Sequence, residues 1–158
     1  MIRFNNDCIN LIKSFEGLVL TPYHGAADRA DVFTIGYGTI KYPSSYMGGK
    51  MVAMSDPSIT PELATEFLNI EVKRVADAID LLLRDDLTIN QFNALISFGY
   101  NLGDQALKNS TLRLKVNADP YDATIGREFL KWCHSNGEVV EGLIRRRKAE
   151  SELYFKPI

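Results

Sequence analysis

The sequence predicts a mostly helical α+β fold with a small N-terminal sheet. Three observations carry this prediction. Apolar residues recur at helical spacing near the N-terminus and through most of the chain after Pro61. Two short β-branched and aromatic runs, Leu18–Thr21 and Val32–Tyr37, lie close together between the helical stretches. Cap residues mark where several helices begin and end.

Each element has its own warrant. Cys8, Ile9, Leu11, Ile12 and Phe15 share one helical face, so residues from about 5 to 16 form an amphipathic helix. Gly17 stands just past its end, where a left-handed cap is favoured. The two runs that follow form strands joined by a turn, and Gly36 and Gly38 let the backbone approach its neighbours closely. Lys41–Asp56 is turn-rich, with Pro43, Gly48 and Gly49, and Lys50–Val52 is a candidate third strand. Thr60 then caps a long helix, with Pro61 at its first position and Glu62 in its first turn. Leu63, Phe67, Leu68, Val72, Val75, Ala76, Ile79 and Leu82 carry its apolar face towards Leu83, a span of roughly 35 Å.

Thr88 and Gln91 form a capping box for the next helix, whose stripe is Phe92, Leu95, Ile96 and Tyr100 and whose stop is Gly103. Thr111–Val116 is a short helix. Asp119 and Pro120 start another that runs to about Cys133. Gly137 breaks the chain, and Leu143–Phe155 is the last helix.

Composition excludes several classes. With 158 residues, 46% hydrophobic and 24% charged, the chain has the size and balance of one globular domain. It holds no apolar run near the ~20 residues a membrane span needs. Asp7 and Lys13 interrupt the N-terminal apolar pattern, so no export signal is visible. The net charge of −2 argues against nucleic-acid binding, which calls for a basic face. His24 and His134 lack ligand spacing with acids or cysteines, so no metal is expected. Cys8 and Cys133 are expected to be buried free thiols. Arg145–Lys148 reads as a solvated, salt-bridged face in which Arg147 pairs with Glu150.

The chemistry-bearing residues lie around the first helix end. Glu16 closes that helix, Asp28 and Asp31 stand in the polar loop after it, and Thr34 lies on the returning strand. Two carboxyl groups flanking a sugar bond are the minimal equipment for glycoside hydrolysis. Glu16 sits at the negative end of the helix dipole, which favours the protonated form a general acid needs. On spacing alone, a surface glutamate at a helix end is the plainer reading.

Longer patterns sharpen that reading. Phe15-Glu16-Gly17-Leu18, Pro22-Tyr23 and Thr34-Ile35-Gly36-Tyr37-Gly38-Thr39 closely resemble segments of the phage-type lysozymes, glycoside hydrolase family 24. Leu87–Leu95 resembles the family's "LTxNQFDAL", Ser97–Gly103 its "SFxYNxG", Ser110-Thr111-Leu112 its "STL" and Phe129–Trp132 its "FxxW". Gly142–Glu150 resembles its "GLxxRRxxE" ending. These segments fall in family order over nearly the whole chain.

The resemblance implies one lysozyme-like catalytic domain over residues 1–158, with no cofactor. A β-containing lobe of about 17–59 would be joined by a linking helix of about 60–83 to a helical lobe of about 84–158. The first helix would pack on the helical lobe, with a cleft between the lobes. The implied activity is that of an endolysin-type muramidase, which cleaves bacterial peptidoglycan between N-acetylmuramic acid and N-acetylglucosamine with inversion. Glu16 would be the acid, and a loop aspartate with Thr34 would hold the attacking water. Family spacing to Thr34 selects Asp28. Spacing from Tyr23 lands on Gly25 instead, so the loop is about three residues longer than the common form and Asp31 stays open as the second carboxylate. Ile40, Tyr100, Asn101 and Thr111 match positions lining the sugar site. The enzyme would act as a monomer, held in the host cytoplasm until another factor releases it to the wall. A lytic transglycosylase and a non-catalytic wall-binding or virion protein are the alternative functions.

Overall fold

A computed structural model describes residues 4–25 and 31–158. The fold is α+β and mainly helical. It divides into two compact units, one holding the described residues up to Leu11 with Lys73–Ile158, the other those within Ile12–Val72. Both boundaries fall inside helices, α1 (Asn6–Glu16) and α2 (Pro61–Asp80).

The second unit is built on a hairpin of β1 (Val19–His24) and β2 (Phe33–Gly36). The strands pair antiparallel with Val19 opposite Gly36 and Tyr23 opposite Thr34, so β1 spends two more residues than β2 between those pairs. Pro22 falls in that bulge, where a residue without an N–H leaves no ladder bond broken. Gly36 has a φ of 66°, and a Cβ there would stand 3.3 Å from the Ala64 Cβ and 3.4 Å from the Ile59 Cδ1. Only glycine fits both the backbone conformation and the gap to α2. Ile35, Tyr42, Val52, Ile59, Ala64 and Phe67 form the apolar core beneath the hairpin. Tyr42, Tyr46 and Phe67 pack their rings with centroids 5.0 to 5.8 Å apart. The expected third strand is reduced to a single bridge between Lys41 and Met51. Turns and a 3-10 turn at Met47–Gly49 occupy the residues around it.

The first unit is organised around α3 (Ile89–Leu102), which is buried at every residue from Asn90 to Gly99. Its capping box forms as the sequence predicts: the Gln91 N–H donates to the Thr88 hydroxyl at 3.2 Å and the Thr88 N–H to Gln91 Oε1 at 2.9 Å. Gly99 lets α3 approach the C-terminal half of α2, since a Cβ there would lie 3.1 Å from Val75 Cγ1. Around α3 stand α4 (Asp104–Lys108), α5 (Thr111–Ala118), α6 (Ile125–Leu130) and α7 (Glu141–Phe155). The hairpin of β3 (His134–Ser135) and β4 (Glu138–Val139) precedes α7. Among the described residues no helix is long and apolar enough to cross a membrane.

Several elements differ from expectation, some of them for visible reasons. The helix predicted from Asp119 starts only at Ile125. The Asp119 carboxylate accepts from the Tyr121 N–H at 2.9 Å and that of Asp122 from the Thr124 N–H at 2.8 Å. These local bonds offer the backbone a turn in place of a helix. The unpredicted β3–β4 hairpin turns at Asn136 (φ 50°) and Gly137 (φ 81°), the residue pair a two-residue hairpin favours. The long helix α2 ends at Asp80 and not at Leu83.

The basic run overturns a further expectation. Arg146, Arg147 and Glu150 are buried, the last two fully. Arg147 does pair with Glu150, its Nε 2.8 Å from Oε2, and Arg146 Nε approaches the other carboxylate oxygen at 3.3 Å. The Ser97 hydroxyl donates to Glu150 at 2.8 Å, and the Arg147 guanidinium stands 5.2 Å from the centre of the Phe98 ring. Burial pushes the Glu150 carboxyl up from its ordinary value, against the pull of Arg147 and Arg146. Cys8 and Cys133 are free, as expected; Cys8 is buried and its thiol is pushed up to about 12, whereas Cys133 is only half-buried.

This cluster yields a stability prediction. Glu150→Ala strands two buried guanidiniums, and losing one partner of a buried pair costs about 3–5 kcal/mol. Urea unfolding of the variant should show a much lower midpoint with an unchanged slope. A midpoint near that of the wild type would mean that the cluster does not hold α7 to α3.

Candidate active site

The site is assembled from the end of α1 and the hairpin it feeds, all within one compact unit. Helix α1 stops where Gly17 takes a φ of 69°, and the Gly17 N–H donates to the Lys13 carbonyl at 3.2 Å. A Cβ at Gly17 would meet nothing within 4 Å, so the glycine is required by the backbone turn and not by space. That turn leaves Glu16 half-buried at the last position of the helix and directs the chain into β1.

Lys13, one turn earlier, fixes this helix end. Its ammonium donates to the Thr65 hydroxyl at 3.0 Å and stands 5.0 Å from the centre of the Tyr37 ring. Tyr37 is half-buried and packs against the apolar core under the hairpin.

Thr34 is buried at 7% exposure, in the ladder directly opposite Tyr23. Tyr23 in turn senses Glu16: burial first, and then the Glu16 charge, raise its phenol above the ordinary tyrosine value. Thus Glu16 lies within electrostatic reach of Tyr23, and Tyr23 faces Thr34 across the ladder. The next pair along, His24 and Phe33, brings its rings to 4.5 Å. Just beyond, Gly25 carries its backbone against the Thr34 side chain. In the sequence Tyr23 stands only as a motif anchor and Gly25 only as a misfit in the aspartate spacing. The bulge and the close approach that give them a place here have no signature in the sequence.

The other expected residues are placed as follows. Asp28 lies outside the described residues, and so does its neighbour Arg29. Asp31 is in a turn and exposed. Ile40 is 46% exposed, and its carbonyl accepts from the Val52 N–H at 2.9 Å. Asp31 and Ile40 belong to the hairpin unit, whereas Tyr100, Asn101 and Thr111 belong to the helical one. There Tyr100 is half-buried near the end of α3, and Thr111 is the exposed first residue of α5, whose cap is Ser110. The Asn101 side-chain oxygen accepts from Arg147 at 2.9 Å, which ties that residue to the buried cluster. Among the described residues no three His, Cys, Asp or Glu side chains gather into a metal site.

Known proteins are similar to this chain in sequence and fold. The phage lysozyme family model matches residues 13–150. The endolysin of Bacillus phage B103 is 42% identical over 147 residues, which cover 93% of this chain but 52% of that relative. The chain therefore spans about half the length of that relative. The endolysin of Salmonella phage P22 is 32% identical over 155 residues and is matched across 98% of this chain and 99% of its own length. Among solved structures, the endolysin from Escherichia coli O157:H7 phage FAHEc1 has a TM-score of 0.81 at 32% identity, covering 96% of this chain and 92% of that one.

The link between Glu16 and Tyr23 can be read directly. Glu16→Gln removes the charge that helps to raise the Tyr23 phenol. The Tyr23 titration, followed by its ring-carbon NMR shift, should move to lower pH in the variant. It should stay above an ordinary tyrosine, because burial remains. An unchanged titration would separate the two residues.

Proposed function

The chain belongs to the phage lysozyme family, and on that premise we propose that it is a peptidoglycan-degrading endolysin of the muramidase type. In this reading it hydrolyses the β-1,4 bond between N-acetylmuramic acid and N-acetylglucosamine with inversion. The observation that carries the reading is the placement of Glu16 at the end of α1, within electrostatic reach of the tyrosine that pairs with Thr34. The relatives named as endolysins support the substrate class.

In the proposed reaction Glu16 protonates the leaving glycosidic oxygen. Asp28 removes a proton from water as that water attacks the opposite face of the sugar ring. Inversion needs the two carboxyls about 6.5–9.5 Å apart to admit the water. Thr34 holds the water, because its hydroxyl both donates and accepts hydrogen bonds. The lowered accessibility of Thr34 supports this role, since a buried hydroxyl on a paired strand is held in place. Ile40, Tyr100 and Thr111 are proposed glycan contacts, and Asn101 would offer its amide N–H groups, its oxygen being engaged by Arg147. The enzyme is proposed to work as a monomer with no cofactor. Reaching the wall from the host cytoplasm would fall to a separate release factor.

Purified protein acting on isolated peptidoglycan, with mass analysis of the sugar ends, tests the reaction. Hydrolysis should give new reducing ends. Anhydro sugars would replace the muramidase reading with a transglycosylase, and an absence of cleavage would leave a wall-binding protein.

The residue roles make a second prediction. Glu16→Gln and Asp28→Asn should each lower the rate by at least about 100-fold, the low end of general acid–base contributions. Asp31→Asn should stay within a few-fold of wild type. The reverse pattern for the two aspartates would make Asp31 the base. Full activity of Glu16→Gln would remove Glu16 from the reaction.

A further inference from the structure

Gly25 lies immediately after β1, and a Cβ built on it would stand 2.7 Å from the Thr34 Oγ1 and 3.8 Å from the Thr34 Cβ. Its φ lies outside the left-handed region, so the backbone conformation itself does not call for glycine. What excludes a side chain is the hydroxyl. A methyl carbon and a hydroxyl oxygen do not rest at that distance, so one of them would have to move.

The surroundings determine which moves. Thr34 is paired to Tyr23 and Phe33 to His24, and the His24 and Phe33 rings pack at 4.5 Å. Sliding the strand is therefore costly. Thr34 is buried at 7% exposure and β-branched, so its χ1 has few alternatives. Rotation about χ1 relieves the overlap only by carrying the hydroxyl away from where it stands.

We propose that Gly25 is a positioning residue for the reaction: its bare Cα lets the chain leaving β1 close on the Thr34 hydroxyl and hold it in the one orientation that serves the attacking water. This rests on the reading of Thr34 as the water-holding residue. Gly25 occupies the position where spacing from Tyr23 would have set an aspartate. In this chain that position acts through Thr34 and does no proton chemistry of its own.

The test is a mutant cycle on soluble peptidoglycan fragments, with kcat, KM and melting temperature measured for each variant. Gly25→Ala should lower kcat by about 10- to 100-fold, the range a small misplacement of a reacting group produces, with KM little changed. Thr34→Ser keeps the hydroxyl oxygen, so Gly25→Ala should lower kcat in that background as well, whereas in the Thr34→Ala background, where there is no hydroxyl left to displace, it should cost little more. A loss of kcat from Gly25→Ala that is equally large in the Thr34→Ala background would overturn the proposal. If Gly25→Ala fails to fold, Gly25→Ala with Thr34→Ala should fold, because the overlap is gone; failure of that double variant also overturns it. Thr34→Ala alone separates the two levels. Where it is inactive and Gly25→Ala keeps wild-type kcat, the role of Gly25 is wrong and that of Thr34 stands. Where Thr34→Ala is fully active, the underlying reading of Thr34 is wrong.

Discussion

A helix buried on every side needs hydrogen-bond partners for the polar side chains it carries, and α3 imposes that constraint on the helical unit. Its stretch from Asn90 to Gly99 includes Asn90, Gln91, Asn93 and Ser97, none of them exposed. Asn90 donates to the Lys156 carbonyl, Gln91 to the Pro120 carbonyl, Asn93 to the Asn5 side chain and Ser97 to Glu150. The same bonds tie down the C-terminal tail, the loop before α6, the start of α1 and the face of α7. Tyr154 also donates to the Pro120 carbonyl, so two side chains share one acceptor in the core. Unmade, any of these bonds would leave a buried polar group at a cost of about 1–3 kcal/mol. Satisfaction of α3 thus decides where its neighbours stop and turn.

The hairpin unit meets a different constraint, which is space. Gly36 must pack against Ala64 and Ile59, and Gly25 must pack against Thr34. Between these two close approaches the bulge at Pro22 resets the register by two residues, so that Tyr23 and not an earlier residue faces Thr34. Shifting a strand by two residues preserves which face each side chain takes. The end of the hairpin at Tyr23 and Thr34 is thereby re-aimed without exposing its core face, where Ile35 remains fully buried.

Charge was a poor guide to burial in α7. Arg147, Glu150 and Tyr154 recur at spacings of three and four and lie inside, with Arg146 beside them. Spacing alone gave the pair of Arg147 and Glu150, because residues three apart on a helix are neighbours whatever covers them. Whether that face meets water or another helix depends on α3, which lies about fifty residues earlier in the chain. A buried ion pair of this kind adds little net stability over an apolar one, and its value lies in orientation. Here it holds Asn101 and Ser97 in fixed positions.

Local rules were sufficient for much of the fold. The extent of α1 and its Gly17 cap, the capping box at Thr88 and Gln91, and the hairpin before Gly36 were legible because each is set by residues within a few positions of one another. Asn136-Gly137 is an equally local hairpin signal, although Gly137 taken by itself marks only a break. For the site, the sequence supplied Glu16 and Thr34 through motif resemblance, and family membership followed from the order of those motifs. Tertiary structure alone decided that Tyr23 faces Thr34, that Gly25 closes on its hydroxyl and that two arginines turn inward. These features depend on register, on gaps of a fraction of an ångström and on burial by distant segments, none of which leaves a periodic trace in the chain.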